Sequence, residues 1–139
     1  MTTVELRAAI EVSRAALIRA IQSLSERDFA AELAPSEPIV LVLAALAPAE
    51  REAVNRAREA VGAVTRLLSS ERGSRTWPVP PQVIHDLSGA RHETLSFLDS
   101  LDGGTFLSGA KQAALDALQD VSAREMAAAV RIEARPQSS

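Results

Sequence analysis

The chain has 139 residues, which is enough for one domain with a single hydrophobic core. Apolar residues make up 47% and charged residues 24%, as in a folded globular protein. The net charge of −3 argues against binding to nucleic acid through the phosphate backbone, and the absence of Cys excludes disulfides, cysteine nucleophiles and thiolate zinc sites.

The first predicted helix covers residues 3–26. Thr2 and Glu5 have the spacing of a capping box, in which a hydroxyl and a carboxylate satisfy free N–H groups of the first turn. Leu6, Ile10 and Leu17 then recur at helical spacing and predict one apolar face.

The second predicted helix covers residues 37–69, with Ser36 as its N-cap. Its first part, residues 39–47, is apolar on every side, and it is too short to span a membrane. We expect Pro48 to bend this helix, because proline removes a backbone hydrogen bond and clashes with the preceding turn. An amphipathic N-terminus and the lack of a spanning segment lead us to expect a soluble, cytoplasmic protein without a membrane partner.

The third and fourth predicted helices cover residues 81–101 and 110–134. The polar loop at residues 70–80 precedes the third helix, Gly103 and Gly104 end it, and Pro136 follows the fourth. Four amphipathic helices with these connections predict an all-α four-helix bundle formed by one domain, residues 1–139.

The order and texture of these helices resemble the DinB-like superfamily. The relevant stretches are ELRAAIEVSRAALIRAIQSLSERDF, LAALAPAERE, PPQVIHDLSGARHETLSFLDSL and REMAAAVRIEARP. The superfamily includes thiol-dependent S-transferases and mycothiol-dependent maleylpyruvate isomerases, and the resemblance implies the bundle fold and a homodimer.

The resemblance also implies a divalent metal held by three His, one in the second helix and two spaced H-x-x-x-H in the fourth. In this chain Ala45 occupies the first of these positions, and Ser122 and Met126 occupy the other two. Alanine has no donor atom, a neutral hydroxyl is a poor ligand, and a thioether suits soft metals. We therefore expect no metal and no other cofactor at this position, and instead a largely apolar pocket lined by Ala45, Ser122 and Met126.

Three other residues are candidates for a site. His85 and His92 lie two helical turns apart on the third helix, too far apart to bind one metal ion directly, and are either a relocated metal site or ordinary polar residues. Trp77 either closes the pocket over a ligand or anchors the loop that contains it.

The sequence leads us to expect a non-catalytic or catalytically degenerate DinB-like protein that binds a small apolar or amphipathic molecule or a protein partner. The alternative is a thiol-dependent S-transferase or isomerase with a non-metal or relocated site. A third possibility is an interaction module that packs through the apolar run of the second helix, which either a second subunit or the connector at residues 29–35 would cover.

Overall fold

The computed structural model describes residues 2–62, 79–107 and 109–135. The described chain is mostly helical, and the predicted all-α class is confirmed. A 3-10 turn at Asp28–Ala30 and two short antiparallel strands interrupt the helices. The elements are α1 (Thr3–Gln22), β1 (Glu32–Ala34), β2 (Glu37–Pro38), α2 (Ile39–Ala44), α3 (Leu46–Ala60), α4 (Pro80–Gly103) and α5 (Ala110–Glu133).

Helix α1 begins where the sequence predicts. The Glu5 backbone N–H donates to the Thr2 hydroxyl at 3.1 Å, which satisfies one free donor of the first turn. The Thr2 hydroxyl in turn donates to the Glu5 carboxylate at 3.3 Å. The helix ends at Gln22, four residues earlier than predicted.

The second predicted helix differs from expectation at its start. Ser36 is not its N-cap, because Ser36 has a φ of 65° and lies in the turn between β1 and β2. Helix α2 begins at Ile39, after Pro38, and has no side-chain cap.

The second predicted helix is interrupted three residues before Pro48. Helix α2 ends at Ala44, and Ala45 separates it from α3. In a continuous helix the N–H of residue 48 would donate to the Ala44 carbonyl, but Pro48 has no N–H. Helix α3 ends at Ala60 rather than at residue 69, and Gly62 follows with a φ of 79°, the left-handed conformation that commonly terminates helices. The remainder of the predicted helix, residues 63–69, lies outside the described residues.

The four long helices enclose a common interior. Helix α5 packs against α1 and α3, α3 also packs against α4, and the α1–α4 contact is much less extensive. Helix α1 runs parallel to α5, because Ser13 bonds to Glu125 and, further along the chain on both sides, Ser23 bonds to Arg135. Helix α3 runs antiparallel to α5, because Arg56 pairs with Asp120, whereas Glu37, which precedes Arg56, pairs with Arg131, which follows Asp120.

The interior contains two apolar clusters, one toward each end of the helices. The first cluster is centred on Leu17, Leu43 and Ile132. The second is centred on Leu6, Leu98 and Leu118. A layer of buried polar side chains lies between the two clusters in every long helix.

The apolar run of α2 is covered largely from within the chain. Ile39, Leu43 and Ala47 are buried, and Phe29 and Leu33 of the preceding connector pack against the same cluster. Leu41 remains 40% exposed on the outer side. Within the described parts of the chain, no helix is both long enough and apolar enough to cross a membrane.

Candidate functional site

The polar layer is built around four charged side chains, one from each long helix. Arg14 lies on α1, Glu50 on α3, Arg91 on α4 and Glu125 on α5. Glu50 and Glu125 are buried on the interior faces of their helices, Arg14 and Arg91 are half-buried beside the interior faces of theirs, and the packing of the helices brings the four together. We call these four residues the Arg–Glu ring.

In the Arg–Glu ring each guanidinium contacts both carboxylates. Arg14 Nη2 lies 3.2 Å from Glu50 Oε1, and Arg91 Nε lies 3.1 Å from Glu50 Oε2. Arg14 Nε and Arg91 Nη2 both donate to Glu125, one to each carboxylate oxygen. The ring thus contains two positive and two negative charges and is neutral as a unit.

Two buried hydroxyl groups complete the hydrogen bonds of the carboxylates. Thr94 Oγ1 donates to Glu50 Oε2 at 2.6 Å, and Ser13 Oγ donates to Glu125 Oε1 at 3.2 Å. Each carboxylate thus accepts from three donors. Since a carboxylate offers about four lone-pair positions, little capacity is left for a metal ion or a substrate proton.

The arginines also bind the backbone of neighbouring helices. Arg14 Nη1 donates to the Leu87 carbonyl at 3.3 Å, and Arg91 Nη1 donates to the Ile10 carbonyl at 3.1 Å. These two bonds link α1 directly to α4, a pair of helices that otherwise have few contacts with each other. No buried side-chain nitrogen or oxygen in the described residues lacks a hydrogen-bond partner.

Burial within the Arg–Glu ring is uneven. Glu50 is 3% exposed and Glu125 is 2% exposed, whereas the side chains of Arg14 and Arg91 are 16% and 12% exposed. Both arginines line a groove of about 470 Å³ between α1 and α4. The other residues of its lining are Ile10, Glu11, Ala15, Ile18, Arg19 and Leu95. We call this the α1/α4 groove.

Two further pockets lie on the described surface. The first, of about 480 Å³ between α1 and α5, is lined by Ala16, Met126, Ala129 and Val130, with charged residues at its edge, and we call it the α1/α5 groove. The second, of about 410 Å³, is formed by the connector after α1 and by the start of α4.

Ala45, Ser122 and Met126, which we expected to line one apolar pocket, lie in different surroundings. Ala45 is exposed at the junction of α2 and α3. The half-buried Ser122 donates its hydroxyl to the Gln119 carbonyl at 3.1 Å. Met126 is half-buried and lines the α1/α5 groove, whose lining includes neither Ala45 nor Ser122. A methyl group, an engaged hydroxyl and a thioether do not fit a hard or borderline divalent ion.

His85 and His92 are both exposed on α4. No group of three or more His, Cys, Asp or Glu that could hold a metal ion occurs in residues 2–62, 79–107 and 109–135. Trp77 lies outside the described residues, and so does most of the loop that contains it.

The sequence analysis did not identify the Arg–Glu ring. The signal for it is a charged residue at a position that the helical period assigns to the interior. Glu125, for example, lies four residues after Val121 and four before Ala129, both of which are buried. That signal marks a buried charge but does not name its partner, which lies on another helix.

Another cluster of charges joins the start of α1 to the end of α4. The Thr3 hydroxyl donates to Asp102 Oδ1 at 2.6 Å, and Arg7 Nη2 lies 3.5 Å from Asp102 Oδ2. The hydrogen bond from Thr3, with smaller contributions from Arg7 and Lys111, lowers the pKa of Asp102. These contacts hold the start of α1 against the end of α4, on the same side of the protein as the α1/α4 groove.

Comparisons of the chain with models of protein families, with curated proteins and with solved structures give no match.

Proposed function

We propose that the protein is a non-catalytic, DinB-like four-helix bundle that binds a small amphipathic molecule. The support for the bundle is the packing of α1, α3, α4 and α5 around one interior, with α2 as the first part of a kinked second helix. The order and texture of the helices support the relation to the DinB-like superfamily. Ala45, Ser122 and Met126, which match the positions of that superfamily's metal ligands, are poor ligands for its metal and support the non-catalytic part of the proposal.

The observation that carries the proposal is the engagement of both central glutamates. Glu50 and Glu125 are the buried acids of the described interior, and each accepts from two arginines and one hydroxyl. A general base or a metal ligand needs a free lone pair directed at the substrate or the ion. The arrangement favours a structural role for these acids and leaves binding to the grooves beside them.

The surface grooves are suited to binding. Those on α1 are open grooves of about 470 and 480 Å³, and their linings combine aliphatic side chains with charged side chains that would orient a ligand. This combination and this size are typical of sites for small molecules.

A homodimer remains part of the proposal. Leu41 is the large side chain of the apolar run that stays exposed, at 40%, while most of the run is buried in the core. If a second copy packs there, Leu41→Arg would place a charge in the interface and convert a dimer to a monomer in analytical ultracentrifugation. An unchanged sedimentation coefficient would contradict a dimer formed through α2.

The proposed function is tested by thermal melting of the purified protein with a panel of amphipathic small molecules and, separately, with Ni²⁺, Zn²⁺ and Mn²⁺. A ligand at 100 times its dissociation constant stabilises the folded state by about 2.7 kcal/mol, which is visible in a melting curve. We expect stabilisation by one or more amphiphiles and none by metal. Stabilisation by a metal that is lost in the double variant His85→Ala, His92→Ala would contradict the proposal and support the relocated site of an enzyme.

A further inference from the structure

The α1/α4 groove is lined by two half-buried arginine side chains together with aliphatic side chains. We propose that it binds an amphipathic carboxylate, with the carboxylate group at Arg14 and Arg91 and the hydrocarbon tail along Ile18 and Leu95. The inference rests on the proposed function and adds the chemical class of the ligand.

The first argument is the orientation of the Arg–Glu ring. The groove is lined by both arginines and by neither of the two glutamates, which lie deeper and are almost fully buried. An anion in the groove therefore meets the guanidinium groups first, at shorter distance than the carboxylates behind them. Because Coulomb energy falls with distance, the nearer positive charges dominate although the ring as a whole is neutral.

The second argument is the number of hydrogen-bond donors that remain. A guanidinium group has five N–H donors. The contacts of Arg14 and of Arg91 with other described residues use three donors each, which leaves two on each side chain. A carboxylate is the ligand whose two oxygens match such paired N–H groups, and the resulting bonds are charge-assisted.

The third argument is that the arginines are already positioned. Each guanidinium is fixed by two carboxylates and one backbone carbonyl, so binding does not have to order a mobile arginine side chain. The entropy that a surface arginine would lose on binding is therefore largely absent here, which favours affinity.

The apolar part of the ligand follows from the walls of the groove. Ile10 is buried at its base, and Ile18 and Leu95 are half-buried on opposite sides. At the edge, Arg19 and Glu11 carry opposite charges, so the edge adds no net preference for either sign. The α1/α5 groove has a similar volume and an edge with Arg19 and Glu133, but its base has no charged residue. Selectivity for an anion is therefore specific to the α1/α4 groove.

The test is isothermal titration of the full chain with three probes of equal chain length, decanoate, 1-decanol and decylamine, each below its aggregation limit. We expect decanoate to bind at least about tenfold more tightly than decanol, a ratio that corresponds to about 1.4 kcal/mol. Decylamine should bind more weakly than decanol, because its charge is repelled by the two guanidinium groups.

A pair of matched variants locates the site. Ala15 and Ala8 are both exposed on α1, but Ala15 lines the α1/α4 groove and Ala8 does not. Ala15→Glu should abolish the preference for decanoate over decanol, since it puts a negative charge beside the arginines. Ala8→Glu should leave the preference unchanged, and unliganded melting temperatures should show that both variants are folded.

Each remaining outcome would overturn the inference in a distinct way. Equal affinity for decanoate and decanol would refute the carboxylate site while leaving the proposed binding function intact. A preference for decanoate that Ala15→Glu does not reduce would place the carboxylate elsewhere. Failure of all three probes to bind, together with no stabilisation by the wider panel of amphiphiles, would refute the inference and the proposed function together.

Discussion

Replacing Arg91 by methionine would test whether the Arg–Glu ring is a closed unit. The methionine side chain keeps much of the aliphatic volume but removes three donors, those to Glu50, to Glu125 and to the Ile10 carbonyl. Two carboxylates that are at most 3% exposed then share the single guanidinium of Arg14. One buried negative charge is left without compensation.

The cost follows from the desolvation of that charge. Breaking a buried ion pair by removing one partner lowers the free energy of unfolding by about 3–5 kcal/mol. Domains of ordinary stability unfold with about 5–15 kcal/mol, so Arg91→Met should remove a large part of the total. The exposed ion pair of Arg124 and Asp120 provides the control. Arg124 has 58% of its side chain exposed, and Arg124→Met should cost no more than about 0.5 kcal/mol.

Urea denaturation followed by circular dichroism measures both variants, provided that the slope with denaturant stays constant. A double variant, Arg91→Met with Glu125→Gln, restores neutrality to the ring. Its loss should be smaller than the sum of the two single losses by about 0.5–3 kcal/mol, because the second change removes the charge that the first left unpaired. Additive losses, or a loss below about 1 kcal/mol for Arg91→Met alone, would refute the account of the ring as a coupled unit.

Three further predictions concern the core, the end of α4 and the strand turn. Leu98→Ala should lower the free energy of unfolding by about 2–5 kcal/mol in urea denaturation, because Leu98 is fully buried, and a loss below 1 kcal/mol would contradict its place in the core. Thr3→Val should raise the depressed pKa of Asp102, which NMR titration of the carboxyl group would measure. In the wild type, the contribution of Asp102 to stability is present above the unfolded-state pKa and is lost as the pH falls through the lower folded-state pKa. An unchanged pKa would show that Arg7 and Lys111 cause the shift instead. Ser36→Gly should leave stability unchanged or raise it by up to about 1 kcal/mol, whereas Ser36→Pro should lower it, because proline cannot adopt the φ of 65° found at this position; equal melting temperatures for the two variants would contradict that conformation.

The sequence was sufficient to predict where three of the four long helices begin. The starts of α1, α4 and α5 fall within one residue of prediction, since capping residues, prolines and glycines act on the backbone next to them. The proline bend was predicted from Pro48 for the same reason, although the break itself lies at Ala45. Ser36 was predicted wrongly, because its propensity for an N-cap did not reveal that the chain would pair two short strands around it.

The candidate site depended on contacts between residues that are far apart in the chain. The helical period could show that Glu50 and Glu125 face the interior, but not that Arg14 and Arg91 would meet both of them. That meeting depends on the parallel course of α1 and α5, and on the level at which each helix is packed. The periodic pattern of one helix contains no information about either. The sequence by itself therefore determined the starts of three long helices, their apolar faces and the absence of cysteine, whereas only the tertiary structure assembled the Arg–Glu ring and the groove beside it. The physical reason is that the packing of whole helices decides which buried charges become neighbours.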